Sequence, residues 1–103
     1  MIATGENGRL TLKQVEATAG THDRGDVQVR VIKLKSGSGI DIALESRVKS
    51  LYAEEILKTV RKTLKELKVS DMRVEINDQA AFDYVITARL ETALRRVQQA
   101  GNR

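Results

Sequence analysis

The chain has no cysteine. That absence removes disulfides, thiolate metal sites and cysteine nucleophiles together. His22 is the single histidine, so a transition-metal site would need carboxylates for nearly everything, and Asp23 and Asp26 are too few. A Ser-His-Asp set would have to use His22, and no Gly-x-Ser-x-Gly occurs, which argues against nucleophilic hydrolysis. Aromatics make up 3% of the residues, too few for a platform on which single-stranded bases stack. No run of about 18 apolar residues exists, so no spanning helix is expected. The opening MIATGENGRL lacks a basic region followed by an apolar one; no signal peptide is expected, and the cytoplasm is the default compartment.

What is present describes one small domain. The chain has 103 residues, 41% hydrophobic and 31% charged, with a net charge of +4. These values suit a folded globular protein. The basic balance admits acidic partners such as nucleic acid or phosphorylated cofactors.

Residues 1–18 are polar and read as a loose lead-in, leaving 19–103 as a single domain. VQVRVIKL at 27–34 alternates as a half-buried strand, with a phase slip at Val31–Ile32 that suggests a bulge. KSGSG at 35–39 reads as a turn, and IDIAL at 40–44 as a second strand, so the pair predicts a hairpin. From 46 to 68 the period changes. Ala53, Ile56, Leu57, Val60, Leu64 and Leu67 form one helical stripe, with Ser50 as N-cap. MRVEI at 72–76 alternates again. The segment from 79 to 90 satisfies both periods. Tyr-Val-Ile-Thr favours a strand over 82–89 followed by a helix over 90–99; the rival is one long helix from Asp78. The expected fold is α+β: a two-layer sandwich, with a small antiparallel sheet of about four strands in β-β-α-β-β-α order and helices on one face.

The stretch AGTHDRGDV at 19–27 concentrates the polar chemistry. An exposed loop histidine is the simplest account of His22. Arg24-Gly25-Asp26 matches an adhesion tripeptide, a pattern short enough to recur by chance. SGSGID at 36–41 lacks the Gly-Lys-Ser/Thr ending of a phosphate loop and reads as a turn. Lys58, Arg61, Lys62, Lys65 and Lys68 crowd one helix, and Arg89, Arg95 and Arg96 another, as a nucleic-acid surface or as solvated helix faces. Glu54 with Lys58 and Lys62 with Glu66 pair at helical spacing, which favours solvated faces. Composition and periodicity therefore lead to a basic two-layer domain more suited to binding or carrying than to catalysis.

A resemblance goes further. AGT at 19–21, GDVQVRV at 25–31, IDI at 40–42, SRV at 46–48, ILKTV at 56–60 and VEINDQAAFDYVITARLETALRR at 74–96 occur in this order. From about Leu12 to Ala100 the chain resembles the acyl carrier protein, or gamma chain, of citrate lyase; the malonate decarboxylase carrier subunit is a more distant match. The resemblance implies a non-catalytic subunit of a lyase complex. It implies a phosphoribosyl-dephospho-coenzyme A arm joined by a phosphodiester to a serine, alpha and beta subunits as partners, and a prosthetic-group transferase. It marks Gly20, Thr21, Asp23, Gly25 and Asp26 as the attachment loop and Arg24 as the attachment position. The family's serine is replaced there, and a guanidinium cannot form the phosphodiester. Thr21, Ser36 and Ser38 are the alternative hydroxyls for attachment. A small basic nucleic-acid-binding module is the alternative function, and a structural adaptor a third.

Overall fold

The computed structural model describes residues 14–46 and 49–101, apart from the side chains of 49–51 and 101. Among the described residues four strands and two helices follow in the order β1 (Glu16–Gly20), β2 (Val27–Lys33), β3 (Ile40–Ser46), α1 (Lys49–Glu66), β4 (Met72–Asp78) and α2 (Asp83–Gly101). The strands form one sheet in the spatial order β1-β2-β4-β3. β1 with β2 and β2 with β4 are antiparallel, whereas β3 runs parallel to β4.

The α+β architecture, with four strands and two helices packed on them, is as the sequence indicates. The element order is β-β-β-α-β-α and the sheet is mixed, which corrects the antiparallel β-β-α-β-β-α expectation. Three differences produce that change. β1 takes in residues 16–18 of the supposed lead-in, and the Val15 carbonyl extends its ladder by accepting from Lys33 N at 2.8 Å. Residues 1–13 of the lead-in lie outside the described residues.

The second difference is that β2 and β3 do not form a hairpin, because β4 lies between them. Asp71 explains how a short Gly-bearing turn steps over a strand. Its Oδ1 accepts from Gly37 N at 3.0 Å and Gly39 N at 2.9 Å, and its carbonyl accepts from Leu34 N at 2.8 Å. The turn is thus wrapped round the entry to β4.

The third difference is residues 82–89, which are helical from Asp83 onward. A strand would have put Phe82, Tyr84 and Ile86 on one face. The helix buries Ile86, Leu90, Ala93, Leu94 and Val97, and leaves Phe82 and Tyr84 in solvent. Burial of the longer stripe overrides the β-propensity of Tyr-Val-Ile-Thr.

Alternation on the inner strands works as read. Val27, Val29 and Val31 of β2 and Met72, Val74 and Ile76 of β4 are buried with Ile56, Val60 and Leu64 of α1 and the α2 stripe. The β2–β4 register runs unbroken through Val31 and Ile32, both buried, so the phase slip is not a bulge. Leu67, assigned to the α1 stripe, falls beyond the helix end and is exposed. The helix begins at Lys49, and the side chain of Ser50, the expected cap, is outside the described ones.

α2 lies over β1 and β2, α1 over β3, and the helices touch one another. The opposite face of the sheet carries a charge ladder. Glu16 on β1, Arg30 on β2, Glu75 and Arg73 on β4 and Asp41 on β3 pair in that sequence across all four strands. Alternating signs at neighbouring positions suit a water-exposed sheet face. Arg73 and then Arg30 hold the Glu75 carboxyl below the usual carboxylate range.

Candidate functional site

The β1–β2 connection, residues 21–26, is the loop marked by the resemblance. It begins at Gly20, whose φ is +92°. A Cβ there would lie 1.8 Å from the Val27 carbonyl oxygen, so only glycine fits where the chain leaves β1. The loop then makes a tight turn. Asp26 N donates to the Asp23 carbonyl at 3.0 Å, with Arg24 and Gly25 at the centre and Gly25 at φ +85°. A positive φ at the second central position is the type II pattern that favours glycine.

Asp26 organises the loop from within. Its carboxylate accepts from Thr21 N at 3.2 Å, Thr21 Oγ1 at 2.7 Å and Val27 N at 2.7 Å. Arg89 of α2 adds a two-pronged contact, Nε to Oδ1 at 3.0 Å and Nη2 to Oδ2 at 2.9 Å. Bidentate, charge-assisted geometry of this kind is the strong form of hydrogen bond. Arg89, and then the Thr21 hydroxyl, hold the Asp26 carboxyl far below the usual carboxylate range. The loop is also fastened on the side of the β4–α2 connection. Gly25 N donates to the Gln79 carbonyl at 2.6 Å, and Gln79 N returns a bond to the Asp26 carbonyl at 2.9 Å.

That frame sets what each side chain can do. The Asp26 side chain is only 14% exposed and faces Arg89, so Arg24-Gly25-Asp26 does not display the carboxylate an adhesion motif needs. The Thr21 hydroxyl donates to Asp26 and accepts from Asp23 N at 3.2 Å, so it is a loop brace. His22 Nε2 meets Gln28 Oε1 at 2.6 Å, which ties the ring to β2. Among the described residues no group of three or more His, Cys, Asp or Glu could hold a metal ion. Ser36 and Ser38 sit at the far end of the sheet, since β2 leads away from the loop toward them. Arg24 differs from all of these. It occupies the turn tip, is exposed, and has no hydrogen-bond or ion-pair partner among the described residues.

The end of the sheet that carries the loop has a second polar anchor. Asp78, buried at the end of β4, accepts from Ser46 Oγ at 2.8 Å and from Ala81 N at 2.9 Å. It joins the end of β3 to the approach to α2. The rest of the SRV stretch, residues 47–48, lies outside the described residues.

Sequence reading missed Arg89, Gln79 and the Ser46–Asp78 pair as parts of this site. Arg89 lies 63 residues beyond Asp26, and helical periodicity marks it only as a polar position. The Ala-Arg within the resemblance was its one signal. The structure also divides the basic residues. Arg89 is bound to Asp26, and Arg96 donates to the Thr18 carbonyl at 2.8 Å, while Lys58, Arg61, Lys62 and Lys65 lie exposed along α1. Among the described residues no helix is long and apolar enough to cross a membrane.

The acyl carrier family described as malonate decarboxylase delta subunit (MdcD) matches residues 14–97. The chain is 40% identical over 83 residues to the citrate lyase acyl carrier protein of Clostridium perfringens (strain 13 / Type A), covering 81% of each. It is 36% identical over 83 residues to that of Lactobacillus helveticus (strain DPC 4571), covering 81% of this chain and 84% of the relative. Against that of Serratia proteamaculans (strain 568) the identity is 37% over 86 residues, covering 84% and 83%. The matched span contains the whole sheet, the Asp26–Arg89 clasp and the turn at Arg24: the chain belongs to the citrate lyase acyl carrier protein family.

Proposed function

We propose that this chain takes the place of the acyl carrier (gamma) subunit in a citrate lyase-type complex, in a form without a covalent arm. Alpha and beta subunits are its partners, and the turn at Arg24 is the position it presents to them. The observation that carries the reading is the loop. It is fastened by Asp26, Gln79 and Arg89, and its exposed tip is the one residue not used to hold it. A carrier needs a firm platform beneath a projecting attachment point.

The residues present do not fit covalent attachment of phosphoribosyl-dephospho-coenzyme A. A phosphodiester needs a hydroxyl, and Arg24 offers a guanidinium that stays protonated. The Thr21 hydroxyl is engaged by Asp26 and Asp23 N, and Ser36 and Ser38 are at the opposite end of the sheet. An exposed guanidinium can hold a phosphate only through hydrogen bonds and charge.

Co-expression with citrate lyase alpha and beta subunits and the prosthetic-group transferase tests the reading. The wild-type chain is expected to co-purify with a subunit and to show no added mass. Arg24→Ser is expected to gain an increment the size of the arm. Failure to associate with either subunit, or an increment on the wild-type chain, overturns the proposal.

A further inference from the structure

The chain contains one phenylalanine, two tyrosines and no tryptophan, and all three rings are left out of the core. Tyr52, Phe82 and Tyr84 are 52%, 70% and 71% exposed. They are not scattered. All three line one hollow of about 800 Å³ between the start of α1 and the start of α2. Phe82 and Tyr84 stack on each other, with centroids 5.7 Å apart and planes 8° from parallel, which gives the hollow a broad aromatic wall. Aromatic side chains carry the largest apolar area of any residue, and a clustered exposed patch of them is characteristic of a contact surface.

The charge around the wall selects the partner. The exposed charged residues lining the hollow are Glu55 and Asp83, and no basic side chain lines it among the described residues. In a chain of net charge +4 the described residues make this a locally acidic spot. Carboxylates beside aromatic faces attract guanidinium or ammonium groups by ion pairing and cation–π contact, and repel phosphate. A nucleotide or nucleic acid is therefore disfavoured here. The hollow also adjoins the candidate site: Gln79 holds Gly25, and Ala80 and Ala81, the next two residues, line the hollow.

We propose that the Tyr52–Phe82–Tyr84 hollow is a docking surface for a partner protein that inserts an arginine or lysine flanked by aliphatic side chains. A partner seated there lies beside Ala80 and Ala81, the residues that follow the loop's anchor Gln79. The identity of that partner as a lyase subunit rests on the function proposed above; the chemistry of the surface does not.

Two measurements separate these. In the first, the full chain is titrated by NMR with Ac-Leu-Arg-Leu-NH2, Ac-Leu-Glu-Leu-NH2 and adenosine monophosphate. The arginine peptide is expected to shift the three ring spin systems and to bind about two- to fivefold more tightly than the other probes, the gain of one exposed cation–π contact. Phe82→Ser with Tyr84→Ser should abolish the response. Equal response to all probes, or none to the arginine peptide, overturns the docking proposal.

In the second, binding to the alpha and beta subunits is measured for wild type, Phe82→Ser, Tyr84→Ser, Asp83→Lys and the outer-face control Lys62→Ala. The three hollow variants should weaken binding by about tenfold or more, as central contacts do, with the control unchanged. A wild type that binds neither subunit overturns the proposed function and leaves the peptide titration to decide the surface. Variants that bind as wild type does overturn the docking proposal. A dimer in sedimentation that Tyr84→Ser dissolves would assign the hollow to a second copy and overturn it as well.

Discussion

Arg89 on the second helix grips Asp26 at the end of the β1–β2 loop through two parallel hydrogen bonds, 3.0 and 2.9 Å long. One side chain from the helical layer thereby sets the shape of a loop in the sheet layer. The contact also fixes which way the turn at Arg24 points, since the Asp26 carboxylate accepts from both ends of the loop as well.

Removing either side of this clasp should loosen the fold. Asp26→Asn keeps the volume but loses the charge, and Arg89→Lys loses the fork. Each is expected to lower stability by about 1–2 kcal/mol, the usual worth of charged hydrogen bonds reduced for the partial exposure of Arg89. The double variant should cost less than the sum of the single ones, because the two residues act on each other. Urea denaturation midpoints check all three.

Acid should act through the same carboxylate. Arg89 and Thr21 lower the Asp26 pKa in the folded chain. A depressed carboxyl contributes stability above its unfolded value, about 4, and that contribution is lost as pH falls through this value toward the folded one. Wild type should therefore lose urea resistance between about pH 5 and pH 2. Asp26→Asn should show a shallower loss over the same window. Identical slopes for the two would assign the acid sensitivity elsewhere, with Glu75 the next candidate.

Two glycines of the loop should respond differently to alanine. At Gly20 the new methyl would sit 1.8 Å from the Val27 oxygen, so backbone must move; a loss of about 3 kcal/mol or more, or failure to fold, is expected. At Gly25 nothing lies within 4 Å, and only the positive φ is unfavourable, a cost of about 1 kcal/mol. Thermal melts of the two variants rank them.

Arg24→Ala should leave stability unchanged within about 0.5 kcal/mol, because the side chain holds nothing among the described residues. Asp78→Ala is the contrasting case at the same end of the sheet. It removes a buried acceptor from Ser46 and from Ala81 N and should cost about 2–3 kcal/mol. Comparing the two by denaturation separates the displayed residue from the supporting one.

The inner strands were legible because Val27, Val29 and Val31 and then Met72, Val74 and Ile76 face a covered layer at alternate positions, and burial on one face produces that pattern. β3 and its partner were harder. Alternation at Ile40, Ile42 and Leu44 reveals a strand but not its neighbour, and the shortness of the turn at 35–39 pointed to a hairpin that Asp71 diverts. Residues 82–89 were ambiguous because both periods hold there, and only the stripe continuing to Val97 decides for a helix. The loop was visible through its glycines and acids. The guanidinium that orders it stands 63 residues further on, and no local pattern joins the two.

The place of β4 between β2 and β3 has a consequence for how the chain comes to be folded. A ribosome delivers residues in order, so until β4 emerges β3 lacks its partner among the described strands, while β1 and β2 can already zip together. Sheet completion waits until β4 emerges and closes two ladders at once, one to β2 across about 45 residues of chain and one to β3 across α1. Contacts this distant in sequence close slowly, and unpaired edges are exposed meanwhile. The nascent protein is therefore most open to mispairing in the interval between the synthesis of β3 and that of β4.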